Sequence, residues 1–192
     1  MAAHDGIDGV RRIFKQKRVG HAGTLDPAAA GVLPVALGRA ARLIEYMEIA
    51  DKSYRAELSF GCATDTGDVY GTVTDSLPAF SFPPEDVVIN TLVDFIGEID
   101  QRPPVHSAIK IGGMRAYDLA RRGTEIEVPV RRVEIYGVAL LAYNPARHSI
   151  LFDVDCCKGT YMSSLCMDIG AKLGLPARVR FLRSTRVGEF YR

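Results

Sequence analysis

The alternation in "SYRAELSFG" sets the tightest limit on what this chain can fold into. Tyr54, Ala56, Leu58 and Phe60 fall on one side of an extended segment and Ser53, Arg55, Glu57 and Ser59 on the other, the period of two of a half-buried strand. "SILFDVDC" repeats it, with Ile150, Phe152, Val154 and Cys156 alternating with less apolar neighbours. Such strands require a sheet with one covered face, and segments of helical periodicity supply the cover. In "PPEDVVINTLVDFIGEI" prolines and acids open a helix whose stripe is Val88, Leu92, Phe95 and Ile96. "TYMSSLCMDIGAKLG" reads as a helix ending at Gly174, and Ala40, Leu43, Ile44 and Met47 predict another over 39–48.

"EIYGVALLAY" and "VRFLRSTRVGEF" add strands, and Pro34 makes "GVLPVALG" an edge or irregular one. "ATDTGDVYG" reads as a turn-rich connection. "RPPVHSAIKIGGMRAYDLARRG" begins extended at Pro103 and Pro104, turns at Gly112 and Gly113, and continues as a short helix stopped at Gly123. Strands in meander-like order with helices between some of them predict an α+β fold, a mixed, mostly antiparallel central sheet flanked by helices and loops.

The 192 residues suit one domain spanning 1–192. Lys and Arg total 24 against 23 Asp and Glu, so the formal charge of +1 excludes bulk attraction to polyanions. Any nucleic-acid surface must be local. Arg11, Arg12, Lys15, Lys17 and Arg18 form one candidate patch and Arg178, Arg180, Arg183 and Arg186 another, although each alone also reads as a solvated face. No apolar run approaches the ~18 residues of a membrane span, and no leader precedes a cleavage site. The expectation is a soluble cytoplasmic monomer with no membrane partner. Cys62, Cys156, Cys157 and Cys166 show neither C-x-x-C pairing nor zinc-ligand spacing, which predicts reduced thiols and no metal.

The chemistry concentrates in "VGHAGTLDPAAAGVLPVALGRAARL", where residues too small to cover a turn surround His21 and Asp26. Pro27 biases Asp26 toward an extended conformation and presents its carboxylate from a stiff turn. The alternative is that Asp26 caps a helical turn starting at Pro27 and Ala28, and that His21 is an ordinary turn histidine. His4, His106 and His148 are scattered. The phosphate loop G-x-x-x-x-G-K-[ST], the dinucleotide fingerprint G-x-G-x-x-G and the serine elbow G-x-S-x-G are all absent, so no nucleotide cofactor or serine nucleophile is expected. An aspartate nucleophile acting at a glycosidic carbon fits what remains.

"VGHAGTLDPAAAGVLPVALGRAARLIEYM", "KSYRAELSFGCATDTGDVYG", "RPPVHSAIKIGGMRAYDLARRG", "CCKGTYM" and "RFLRSTRVGEF" together resemble, in order and spacing, the TruB-type tRNA pseudouridine synthases over roughly residues 10 to 190. The resemblance implies the pseudouridine synthase catalytic fold and isomerisation of a T-loop uridine of tRNA to pseudouridine, without metal or cofactor. Its partner is then the T-arm stem-loop of tRNA. Asp26 matches the family nucleophile, which attacks either the ribose or the base of a flipped-out nucleotide. His21 matches the histidine that supports the flipped geometry, Tyr54 the aromatic that stacks on the target base, and Tyr161 and Leu182 residues that line the uridine pocket. The segment "RPPVHSAIK" corresponds to a wall of the RNA cleft.

Three departures qualify the match. Ser163 stands where the family motif after "GTY" carries an arginine that pairs with the nucleophile, and its loss removes a charge that favours an ionised carboxylate. Another base, such as Arg42 or Lys158, would have to reach in to replace it. The chain opens with "MAAHDGIDG" in place of the family's first strand, so that strand is expected to be incomplete, and no C-terminal RNA-binding domain is expected beyond Arg192. These departures leave a second expectation beside the enzyme: a non-catalytic tRNA-binding or RNA-folding protein that lost activity through Ser163.

Overall fold

A computed structural model describes every residue except 1–2, 24, 27–28, 48, 106, 108, 117–118, 120–125 and 192. Helix α1 (Ala3–Ile13) leads into β1 (Val19–His21), β2 (Ala29–Gly31) and β3 (Val35–Leu37). A 3-10 turn (Gly38–Leu43) and the single-turn α2 (Ile44–Met47) precede β4 (Lys52–Phe60), β5 (Cys62–Thr64) and β6 (Val73–Ser76). Then come α3 (Glu85–Val93), β7 (Gly97–Gln101) and the small hairpin β8 (Lys110–Ile111) and β9 (Met114–Arg115). The chain closes with β10 (Arg131–Asn144), β11 (Ser149–Cys156), α4 (Met162–Lys172), β12 (Ala177–Val187) and β13 (Phe190–Tyr191).

The central sheet runs β13-β12-β4-β11-β10-β7 with antiparallel neighbours, and β2 adds to β12 in parallel, so the fold is α+β with a mixed, mostly antiparallel sheet. The alternation decides its faces. Ala56, Leu58 and Phe60 of β4 are buried, as are Ile150, Phe152, Val154 and Cys156 of β11, and they pack with Val88 and Leu92 of α3 and Met162, Leu165 and Ile169 of α4. On the opposite face Arg55 holds Asp153 with two hydrogen bonds of 2.8 and 2.9 Å, and Arg186 donates to Ser53 at 2.9 Å while Ser53 donates to Asp155. Register explains both pairs, because Asp153 lies opposite Arg55 and Asp155 opposite Ser53.

Two expectations are corrected and one unassigned segment is filled. The helix expected over 39–48 is a 3-10 turn followed by one α-turn. The helix expected to run through "GEI" stops at Val93; Gly97 takes a φ of +105° and opens the five-residue β7, Gly97–Gln101, which instead supplies an edge partner for β10. Phe95 still packs against the core after the helix has ended, which is why its place in the stripe misleads. Residues 3–13, unassigned from sequence, form α1, hidden because Gly6 and Gly9 interrupt its pattern. A Cβ added at Gly9 meets nothing within 4 Å. Gly9→Ala is therefore expected to stabilise the fold by about 0.5–1 kcal/mol, read as a rise in denaturant midpoint at constant m-value. The short helix expected to end at Gly123 lies largely outside the described residues. No helix among the described residues is long and apolar enough to cross a membrane.

Candidate active site

The loop that carries Asp26 is anchored at both ends by backbone pairing. On one side β1 pairs with β3, His21 opposite Val35, and the Ala22 amide donates to the Pro34 carbonyl at 3.0 Å. On the other, β2 lies along β12 with Ala29 opposite Leu182 and Gly31 opposite Ser184. Gly31 has a φ of +112°, and a Cβ built there would sit 2.0 Å from the Ser184 carbonyl oxygen, so no side chain fits. The Val32 amide closes this approach at 2.9 Å onto the same oxygen, and the Ala29 amide bonds the Asp26 carbonyl at 2.8 Å. Small residues are needed here because two backbones meet. The capping alternative for Asp26 involves Pro27 and Ala28, which lie outside the described residues.

Asp26 is thereby held in a half-buried position. Burial, and secondarily the negative charge of Asp68, raise its carboxyl above the ordinary value. Tyr54 and Tyr161 share its neighbourhood. The Tyr54 phenol is pushed well up by burial first, with further contributions from Cys156 and Asp26. Burial also raises Tyr161, the Ser107 hydroxyl and Arg131 oppose the rise, and Asp26 adds to it. Both phenols therefore stay protonated at neutral pH. Leu182 is buried on β12 between Ala29 of β2 and Ala56 of β4, one strand position from the loop. His21 donates from Nδ1 to the Gly23 carbonyl at 2.5 Å.

Asp68 is the participant that sequence reasoning missed. In "ATDTGDVYG" an aspartate between threonines and glycines reads as a turn former, and it does form the turn: its Oδ1 accepts from Thr66 Oγ1 at 2.8 Å and from the Tyr70 amide at 2.9 Å. The fold adds what the turn cannot show. The Val179 amide donates to the Gly67 carbonyl at 2.9 Å, which pins the loop to β12 and buries Asp68 near Asp26. Ser163, also buried, faces the same loop: a Cβ built on Gly67 would lie 3.1 Å from Ser163 Cβ. The position expected to carry an arginine thus adjoins the Asp68 turn. Arg42 and Lys158, the sequence-level substitutes, are both exposed.

The basic patches are less free than their composition suggests. Arg11 pairs with Asp8 at 2.7 Å within α1, Arg186 reaches Asp155 at 3.5 Å and Arg180 reaches Glu57 at 3.8 Å. Cross-strand partners of this kind are invisible in a linear pattern. All four cysteines are free thiols.

A family model described as TruB family pseudouridylate synthase (N terminal domain) matches residues 11–162. The chain is 46% identical over 190 residues to tRNA pseudouridine synthase B of Caldanaerobacter subterraneus subsp. tengcongensis, covering 99% of this chain and 66% of that protein. It is 47% identical over 191 residues to tRNA pseudouridine synthase B of Symbiobacterium thermophilum, covering 99% and 64%. The chain thus spans a little under two thirds of the length of these curated relatives. Among solved structures, a Cbf5-Nop10-Gar1 complex aligns with a TM-score of 0.74 at 32% identity, over 100% of this chain and 46% of the other. An H/ACA RNP bound to a substrate RNA containing 2'-deoxyuridine aligns at 0.70 and 30%, over 100% and 45%.

Proposed function

This chain belongs to the TruB family of pseudouridylate synthases, and we propose that it isomerises a T-loop uridine of tRNA to pseudouridine with Asp26 as the nucleophile. The observation that carries the reading is a half-buried carboxylate on a loop anchored by backbone pairing at both ends, whose charge is felt by two half-buried tyrosines. A uridine reaches such a place only when flipped out of the stack, at a cost of a few kcal/mol that stacking in the pocket offsets.

The balance of the reaction sets the tasks. The ribose C1'–N1 bond breaks, a C1'–C5 bond forms, the C5 proton leaves and N1 gains one, so there is no net redox change and no cofactor is called for. Asp26, ionised, opens the sequence by bonding to the ribose or to the base. Tyr54 stacks on the detached uracil while it turns. Because its phenol stays protonated, Tyr54 accepts the C5 proton only by passing its own proton on. Tyr161 and Leu182 close the sides of the pocket, and His21 supports the flipped backbone. Arg12, Lys15, Lys17 and Arg18, beside the loop in sequence, grip phosphates of the T-arm. The protein acts in this reading as a cytoplasmic monomer.

Incubating the purified chain with a T-arm stem-loop and detecting pseudouridine by mass spectrometry tests this directly. Product at the T-loop uridine is expected, with stem-loop affinity falling as salt rises, by roughly one log unit per log unit of salt for each phosphate contact. Stem-loop binding with no product would instead support the non-catalytic reading, and neither binding nor product would refute both.

A further inference from the structure

Gln101, the last residue of β7, is 1% exposed and carries one of the largest fully buried side chains. Both hydrogen bonds described for its amide go to one residue. Oε1 accepts from the Tyr161 backbone N–H at 2.7 Å and Nε2 donates to the Tyr161 carbonyl at 3.1 Å, a two-point clamp on the backbone of a proposed pocket residue. Tyr161 precedes the first turn of α4 with an extended backbone, φ −99° and ψ 114°, and has no side-chain cap of its own. Next to the clamp, Ser164 Oγ donates to the Arg102 carbonyl at 2.8 Å, so two successive residues of the β7 end hold the start of α4. Gln101 is itself held in register opposite Arg131, the residue whose charge reaches the Tyr161 phenol.

We infer that Gln101 is a positioning residue for the reaction: it sets the place of the Tyr161 ring over the uridine pocket by fixing that residue's backbone from the neighbouring strand. The inference rests on the proposed activity. An apolar side chain of similar length would fill the volume without making either bond, whereas a protonated glutamic acid can accept from the N–H and donate to the carbonyl. Ionised, the same glutamate would set a negative charge against the Tyr161 carbonyl oxygen.

The test uses the full chain and the T-arm stem-loop. Gln101→Met is expected to lower kcat by about ten- to a hundredfold with KM changed far less, since a misplaced wall costs orientation rather than binding. Gln101→Glu is expected to approach wild-type kcat at acid pH and to fall away from it as pH rises, a ratio that mere packing does not produce. In a Tyr161→Ala background Gln101→Met is expected to cost nothing further. Wild-type kcat in Gln101→Met, or losses that multiply in the double variant, would overturn the clamp. If Gln101→Met does not fold, a pH-independent ratio for Gln101→Glu overturns it instead. A wild-type chain without product refutes the proposed activity itself, a result distinguishable from failure of the clamp.

Discussion

Asp26→Asn is expected to cut pseudouridine formation by about a thousandfold or more, the scale on which removal of a nucleophile is felt, and to raise the melting temperature at pH 7. The two effects have one source. The carboxyl proposed to attack is held where its charge is poorly solvated and is further disfavoured by a second carboxylate, Asp68, so its folded pKa lies above the ordinary 3.8. A carboxyl raised in the folded state contributes its full stability below the unfolded value and loses it as pH rises through the folded value. At pH 7 the wild type therefore bears a cost that the neutral amide does not. The melting-temperature gap should close as pH is lowered past about 3.8, where both side chains are neutral. Scanning calorimetry of both chains from pH 3 to 8 reads it. A variant no more stable than wild type at pH 7 would mean that Asp26 is not held in a costly environment, and retained product would remove it as nucleophile.

Ser163→Arg is the complementary change, expected to raise activity. Ser163 adjoins Gly67, which offers no side chain to obstruct a longer neighbour, and Gly67 precedes the Asp68 turn. A guanidinium placed there would stand by the Asp68 turn, whose negative charge now helps to raise the Asp26 carboxyl. An adjacent Arg typically lowers a carboxyl pKa by about 1–3 units, and each unit multiplies the ionised fraction about tenfold on the acid limb. The expected result is a single-turnover rate profile whose acid limb moves to lower pH, with a gain of about tenfold or more there and less at pH 8. Ser163→Met, similar in reach but uncharged, should leave the limb in place. Equal profiles for wild type and Ser163→Arg would show that Ser163 does not govern the ionisation of Asp26.

Much of this was open to a reader of the chain alone. β4 and β11 followed from alternation, because a residue's side of a strand depends only on whether its position is odd or even. α4 followed from its pattern and its stop at Gly174. Asp26, Tyr54, Tyr161 and Leu182 entered as proposed site residues through the resemblance of their motifs to the family's. Three features were out of reach for a common reason, that each depends on a partner far away in sequence. β7 is five residues of little periodicity that become a strand because β10 has an unpaired edge beside them. Asp68 is a turn aspartate by every local measure, and becomes part of the site when Val179, more than a hundred residues later, pins its loop to β12. Gln101 is an amide in an acidic strand until α4 brings Tyr161 to it. Local pattern sufficed for elements whose burial follows their own period; side chains whose role is to meet another element acquired it when the sheet closed.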